Sequence, residues 1–536
     1  MQKPVIIFYL LTFFYTCTFA QQTGSRLQEL DILHYQFSLQ LADTSDLIKG
    51  EAKITVRFLK SLTFFRLDLT GRTSTGQGMT VKNVLEKGRS VTIEHSGDDL
   101  LMHAMVNKGD TSEYTIFYEG VPADGLIISK NKYGQRTIFS DNWPNRAHHW
   151  LPCVDHPADK ARVDFIVIAP DHYQVISNGV KVEETSLENS QKSSHWRESA
   201  DLSTKIMAIG VADFAVNYAG EVDCIPVSSW IYPQDRDKGF FDYALALDVL
   251  PWFIKKVGPY PFQKLANIQS KTMFGGMENA GAIFYSENSV KGDRTMESLL
   301  AHEIAHQWFG NSATESDWPH LWLSEGFATY MTHWYLEDKY GKDSLVQRLK
   351  DDRVKIIAYS KLKSTPVVNT SITSDYMQLL NVNAYQKGGW VLYMMRNLLG
   401  SAVFEQGIRN YYSAFKGKNA STADFQHVME RISGKDLNQF FRQWLFTPGQ
   451  PDLHIGWKYD ASKKTVLIII TQNQATAYQF PMDIKLVYGK QDLIRSLRVK
   501  EKSASVTIPV TGKPFNLIPD PDTKLLFTAV VEEIKE

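Results

Sequence analysis

Cysteine is scarce, with three in 536 residues. That excludes a fold built on a disulfide framework. Neither sign of charge is in surplus: 58 Lys and Arg stand against 59 Asp and Glu, a formal net charge of -1. The chain therefore lacks the basic field that grips a phosphate backbone, and nucleic acid is not an expected partner. After residue 20 no uninterrupted apolar run approaches the roughly 20 residues of a membrane span. Internal repeats and low-complexity tracts are also missing. Hydrophobic residues at 43% and charged residues at 22% are ordinary globular values, so collagen and intrinsic disorder are excluded. At about 150 residues per domain, a chain of this length is expected to form three or four domains.

The first twenty residues read as a secretory leader. Lys3 supplies a positive start, Val5 to Tyr15 is apolar, and Thr18-Phe19-Ala20 ends on a small residue before Gln21-Gln22. Cleavage after Ala20 predicts an exported protein, periplasmic or extracellular, without stable membrane insertion. It removes Cys17 and leaves Cys153 and Cys224, expected as two buried thiols rather than a bridge.

From Leu27 to about Ala219 short alternating runs, such as Ala52 to Phe58 and Tyr114 to Tyr118, predict β structure. Long helical patterns follow at Asp242–Lys256, Thr295–Phe309, Ser324–Tyr340 and Gly388–Leu399, with Gly310 and Gly341 where helix C-caps belong. Alternation returns at Thr465–Ile470 and Ser505–Val510, past the linker signal Pro448-Gly449-Gln450-Pro451. The expected class is multidomain α+β. Its parts are a leader at 1–20, a β domain at 21–219, a mixed α/β domain at 220–447 and a β-sandwich at 448–536.

One segment carries the chemistry: His302-Glu303-Ile304-Ala305-His306. Residues four apart on a helix share one face, so both imidazoles can converge on one metal ion. After His306 come eighteen residues and then Glu325, which opens a second helical pattern that can return a third ligand. Two His and one Glu leave a fourth position for water, which marks a catalytic zinc site. Glu303 points about 100° around the helix from His302, beside the ion. There it can take a proton from the water and pass it to a leaving amine.

Two further elements are ambiguous on the residues alone. Gly275-Gly276-Met277-Glu278 permits close approach of a substrate backbone, with Glu278 as a carboxylate for a cation. A Gly-Gly turn with a surface Glu reads equally well. Tyr385 can donate to an oxyanion, or simply pack at a helix start.

At these residues the sequence resembles the gluzincin aminopeptidase family, which includes aminopeptidase N and leukotriene hydrolase. Gly276-Met277-Glu278-Asn279 is similar to its exopeptidase signature. His302 to Asn311 and Trp322 to Ala328 are similar to its zinc block, and Tyr385-Gln386-Lys387-Gly388 to its catalytic tyrosine segment. Leu151 to Pro157 with Lys160-Ala161, and Ser177-Asn178-Gly179, are similar to its N-terminal domain. The resemblance implies a β saddle domain, a thermolysin-like catalytic domain and a β-sandwich. It implies one Zn2+ on His302, His306 and Glu325, and Glu303 as general base and then acid. It implies Glu278 holding a peptide's free α-amine, Tyr385 stabilising the tetrahedral intermediate, and the backbone of Gly275, Gly276 and Met277 pairing with the substrate. The implied partners are peptides with a free N-terminus; the oligomeric state cannot be read.

Two departures generate expectations of their own. Asp141 stands where the family usually carries Gln near the first-residue pocket, and is expected to favour a basic or small polar first residue. No counterpart of the large helical C-terminal domain of many relatives follows the sandwich, so a more open cleft accepting longer peptides is expected. Two rivals remain. An epoxide hydrolase would need a lipid tunnel that no segment identifies, and a non-catalytic scaffold would be expected to have lost part of the metal motif.

Overall fold

The computed structural model describes residues 26–489 and 491–534. The leader at 1–20 lies outside them. The N-terminal domain is built on an eight-stranded sheet whose central strand, Leu30–Gln40, pairs antiparallel with Ile48–Phe58 and parallel with Ala161–Pro170. Alternation places Leu30 and Ile32, then Tyr35, Phe37 and Leu39, in the core. The change of phase is a β-bulge between Ile32 and His34, which re-aims the later side chains without losing the ladder. A four-stranded and a three-stranded sheet complete this domain.

The sheet of the second domain begins earlier than the 219/220 boundary drawn from sequence. Ala215–Val222 and Ile225–Ile231 form its first hairpin, turning at Asp223 and Cys224 with φ of 48° and 63°. That turn corrects the expectation of two buried thiols: Cys153 is buried, Cys224 is exposed, and both are free. Leu265–Ser270 and Ala282–Ser286 add in parallel, and Gly276–Met277 closes the sheet antiparallel at its far edge. The stretch read as one helix from Asp242 is two, Arg236–Tyr243 and Ala246–Lys256.

Two helices follow that matter most. The motif helix, Glu297–His306, is answered by the return helix, Trp322–Tyr340, which is buried from Trp322 through Leu336 and stops at Gly341 with φ 88°. A helix buried all round needs close neighbours. A Cβ on Gly326 would come within 2.9 Å of the Gly388 Cα, so small residues on both sides let the return helix and Gly388–Leu399 touch backbone to backbone. A long helix at Lys342–Leu362, unpredicted from sequence, covers the return helix.

The C-terminal domain is a sandwich of a four-stranded and a three-stranded sheet, with Val466, Ile468 and Ile470 alternating inward. Arg353 ties it to the Lys342–Leu362 helix by donating to the Leu525 carbonyl at 2.6 Å and pairing with Asp520 at 3.2 Å. Buried polar contacts hold the N-terminal domain on the second domain. Asn178 donates across to the Ala280 carbonyl at 2.9 Å. Lys205 pairs with Glu315, and both side chains are fully enclosed. Among the described residues no helix is long and apolar enough to cross a membrane.

The Lys205–Glu315 pair gives a test of this interface. Lys205→Met leaves Glu315 buried without its cation and is expected to cost about 3–5 kcal/mol in urea unfolding. Adding Glu315→Leu is expected to recover most of that loss; a single variant as stable as the parent would contradict the assignment.

Candidate active site

The motif helix and the return helix meet at a cavity of about 530 Å³. His302 and His306 come from the first, one turn apart, and Glu325 from the first turn of the second. The two Nε2 atoms lie 3.1 Å apart, and the Glu325 Oε2 is 3.4 Å from His302 Nε2 and 3.3 Å from His306 Nε2. Ligands about 2.0–2.1 Å from a tetrahedral ion stand about 3.3 Å from one another, so the triangle fits a zinc-sized centre.

Chemistry supports the same fit. Glu325 Oε2 is buried without a hydrogen-bond partner. The His306 Nδ1 faces the Phe309 carbonyl at 3.1 Å and the Ser324 hydroxyl at 3.0 Å. A carbonyl only accepts, so Nδ1 carries a hydrogen and Nε2 is the nitrogen that faces inward, to take a metal ion or a proton. Gly310, at φ 115°, is required here, because a Cβ would occupy the Ser324 hydroxyl and sit 3.2 Å from the His306 ring. Glu278 and Glu303 join Glu325 around the two imidazoles, all three buried. Burial and the neighbouring carboxylates push the Glu303 carboxyl well above its usual range. Burial also raises Glu278. Burial pulls the His306 imidazole down, but Glu325 and Glu278 outweigh it and hold the ring up to about 10. His306 and His302 in turn overcome burial to keep Glu325 well below the ordinary carboxylate value. The site draws positive charge, which a divalent cation supplies in compact form.

Glu303 packs against the edge strand, and a Cβ on Gly276 would run into its carboxyl group. Gly276 is thus a glycine for space rather than for dihedral freedom. Gly275 lies opposite Leu299, Gly276 opposite Glu303, and the Glu278 carbonyl accepts from Gln307 Nε2 at 2.9 Å and Asn311 Nδ2 at 2.6 Å. The strand therefore runs alongside the motif helix, turn by turn. Its outer edge is unpaired by the sheet, open to an added chain. At its end, Glu278 has one carboxylate oxygen buried and without a partner. Tyr385 stacks 6.0 Å from the His302 ring and sits in a π-helical turn, Asn383–Lys387. Burial, then Glu325, Glu278 and Glu303, raise its phenol well above the usual value, so it keeps its proton.

The cavity wall brings together His302, Glu303, His306 and Glu325 with Gly275, Gly276, Met277, Glu278 and Tyr385. Asp141 is the exception and the correction. It does not reach the cavity wall. Its carboxylate is fully enclosed, paired with Arg146 Nη2 at 2.6 Å, and accepts from the Met273 N–H at 3.0 Å and the Thr272 hydroxyl at 3.1 Å. Its charge is already neutralised, so no preference for a basic first residue follows. Its position shapes the turn that launches Phe274-Gly275-Gly276. Sequence reasoning missed Trp143, Ser298, His333 and Arg348, which also line the cavity. The last belongs to the helix that went unpredicted, and no spacing signal marked it.

Comparison with known proteins adds an independent finding. The family described as Peptidase M1 N-terminal domain matches residues 32–206, and Peptidase family M1 domain matches residues 243–444. A protein named probable aminopeptidase 2 from Sulfurisphaera tokodaii is 30% identical over 70% of this chain and 50% of its own. Leucyl aminopeptidase from Saccharolobus solfataricus is 27% identical over 80% and 56%, and aminopeptidase A from Gloydius brevicauda 27% over 91% and 54%. The chain spans about half the length of these relatives.

The Ser324 hydroxyl should be felt at the metal. Ser324→Ala is expected to lower affinity for Zn2+ by about tenfold or more, the usual cost of losing a group that orients a ligand. Competition against a chromogenic chelator measures it, and an unchanged affinity would refute the role.

Proposed function

Because the chain belongs to the peptidase M1 family, we propose that it is a zinc-dependent metallo-aminopeptidase that removes the first residue from peptides with a free N-terminus. The observation that carries this reading is the convergence of His302, His306 and Glu325 within 3.4 Å of one another at one end of an unpaired strand edge that finishes on Glu278. When bound there, a zinc ion supplies Lewis-acid polarisation of the scissile carbonyl and makes the attacking water more acidic.

The residues divide the remaining work. The backbone of Gly275, Gly276 and Met277 pairs with the substrate chain and fixes its depth in the cleft. The unpartnered oxygen of Glu278 accepts from the α-ammonium, so cleavage falls one residue in. Glu303 takes the proton from water as it attacks and returns it to the departing amine, as its position beside the two imidazoles allows. The Tyr385 phenol donates to the oxygen on which charge develops. Cobalt or manganese could take the same donor set, but two imidazoles and one carboxylate with an open position suit zinc best. Export follows as a proposal from the leader pattern at Lys3, Val5 to Tyr15 and Ala20.

Hydrolysis of leucine or alanine p-nitroanilide is expected to require the metal and to stop with a chelator. Glu303→Gln should keep the metal and lose nearly all of the rate. Tyr385→Phe should lower kcat by about 10²–10³-fold with the metal retained. Full activity in Glu303→Gln would overturn the assignment of the base.

A further inference from the structure

Arg348 stands in the cavity wall without an anion. Among the described residues its guanidinium forms no ion pair, its Nε is buried without a partner, and its single hydrogen bond is a long one, 3.4 Å to the Ser298 hydroxyl. The other charges of its helix that face the cavity are Asp351, Asp352 and Lys355. Asp352 is taken by His333 at 2.8 Å and by Lys355 at 3.6 Å, and Asp351 accepts from Gln347 at 2.9 Å. On the same helix Arg353, whose Nε is likewise without a partner, pairs through Nη2 with Asp520 and donates to the Leu525 carbonyl at 2.6 Å, so what sets Arg348 apart is the missing ion pair. Five donors beside one weak bond amount to a receptor for an anion.

Its place along the cleft says which anion. The edge strand and motif helix run side by side, with Glu278 at the Gln307 and Asn311 end and Gly275 at the Leu299 end. Ser298 is one turn before His302, about 6 Å along the axis at about 1.5 Å per residue. A substrate whose amine rests at Glu278 and whose first carbonyl lies at the metal ligands must send its leaving portion toward Ser298 and Arg348. At about 3.3–3.6 Å per extended residue, the guanidinium lies one to two residues beyond the cut bond.

We propose that Arg348 binds a carboxylate on the leaving portion of the substrate, so that the enzyme favours peptides with an anionic group one or two residues after the cleaved bond. The group is either the free C-terminus of a di- or tripeptide or the side chain of an acidic residue. This deepens the aminopeptidase reading and rests on it, in particular on Glu278 as the amine end.

The test compares matched pairs of substrates with leucine first. Leu-Ala and Leu-Ala-Ala, each against its C-terminal amide, read the C-terminal source at one and two residues, and Leu-Glu-amide and Leu-Ala-Glu-amide, each against its Gln counterpart, read the side-chain source. The quantity is the ratio of kcat/KM within each pair, which does not depend on how much of a variant is folded. In the zinc-loaded parent at least one ratio is expected to favour the anion by about 10- to 100-fold, the range of charge-assisted hydrogen bonds. Arg348→Ala should bring that ratio to about one, and Arg348→Lys, which keeps the charge and loses the planar fork, should retain part of it. Parent ratios near one in every pair, or a preference that survives Arg348→Ala, would overturn the proposal and leave the aminopeptidase reading standing. Failure to cleave any of these peptides would overturn both.

Discussion

Three ligand atoms from two helices meet within 3.4 Å, and the architecture around them serves to hold that triangle. The return helix can bring Glu325 back only because it is buried on every side, and it can be so only because Gly326 and Gly388 let a third helix lie against it. Gly310 opens the turn after the motif helix and leaves room for the Ser324 hydroxyl that orients His306. Two further carboxylates, Glu278 and Glu303, are buried beside the triangle. Such a concentration of acid is costly without compensating positive charge. The same arrangement that makes the site expensive to fold makes it selective for a cation.

The second constraint is the strand edge. Gly276 and Met277 pair on one side with Tyr285 and Phe284, leaving the other side to the cleft. The N-terminal domain fixes this edge from behind through Asp141, whose buried carboxylate holds Met273 and Thr272, and through Asn178, which reaches the Ala280 carbonyl. The domain interface therefore sets the depth of the cleft, and the helix at Lys342–Leu362, anchored by the sandwich, sets its far end.

The legible features in the sequence were those with a fixed local period. The i, i+4 histidines need only a helix, and a helix of that character was readable. Alternation revealed the strands at Ala52–Phe58 and Thr465–Ile470, which lie inside the observed Ile48–Phe58 and Thr465–Gln472. What escaped depended on tertiary partners. The charge of Asp141 looked available until Arg146, five residues on, proved to neutralise it. Cys224 looked like a core thiol, yet it occupies a hairpin turn. Gly276 was read as a site of close approach, and the neighbour that demands it is a side chain of the motif helix itself. Arg348 gave no signal, because an unpaired guanidinium is defined by the anion it lacks in three dimensions.

The central claim is that one zinc ion belongs at His302, His306 and Glu325. An anomalous-scattering crystal structure at the zinc edge addresses it most directly. The account predicts a single strong peak, about 2.0–2.1 Å from both Nε2 atoms and the Glu325 carboxylate. A crystal grown with zinc that shows no peak within that triangle, or shows it on other residues, would contradict it.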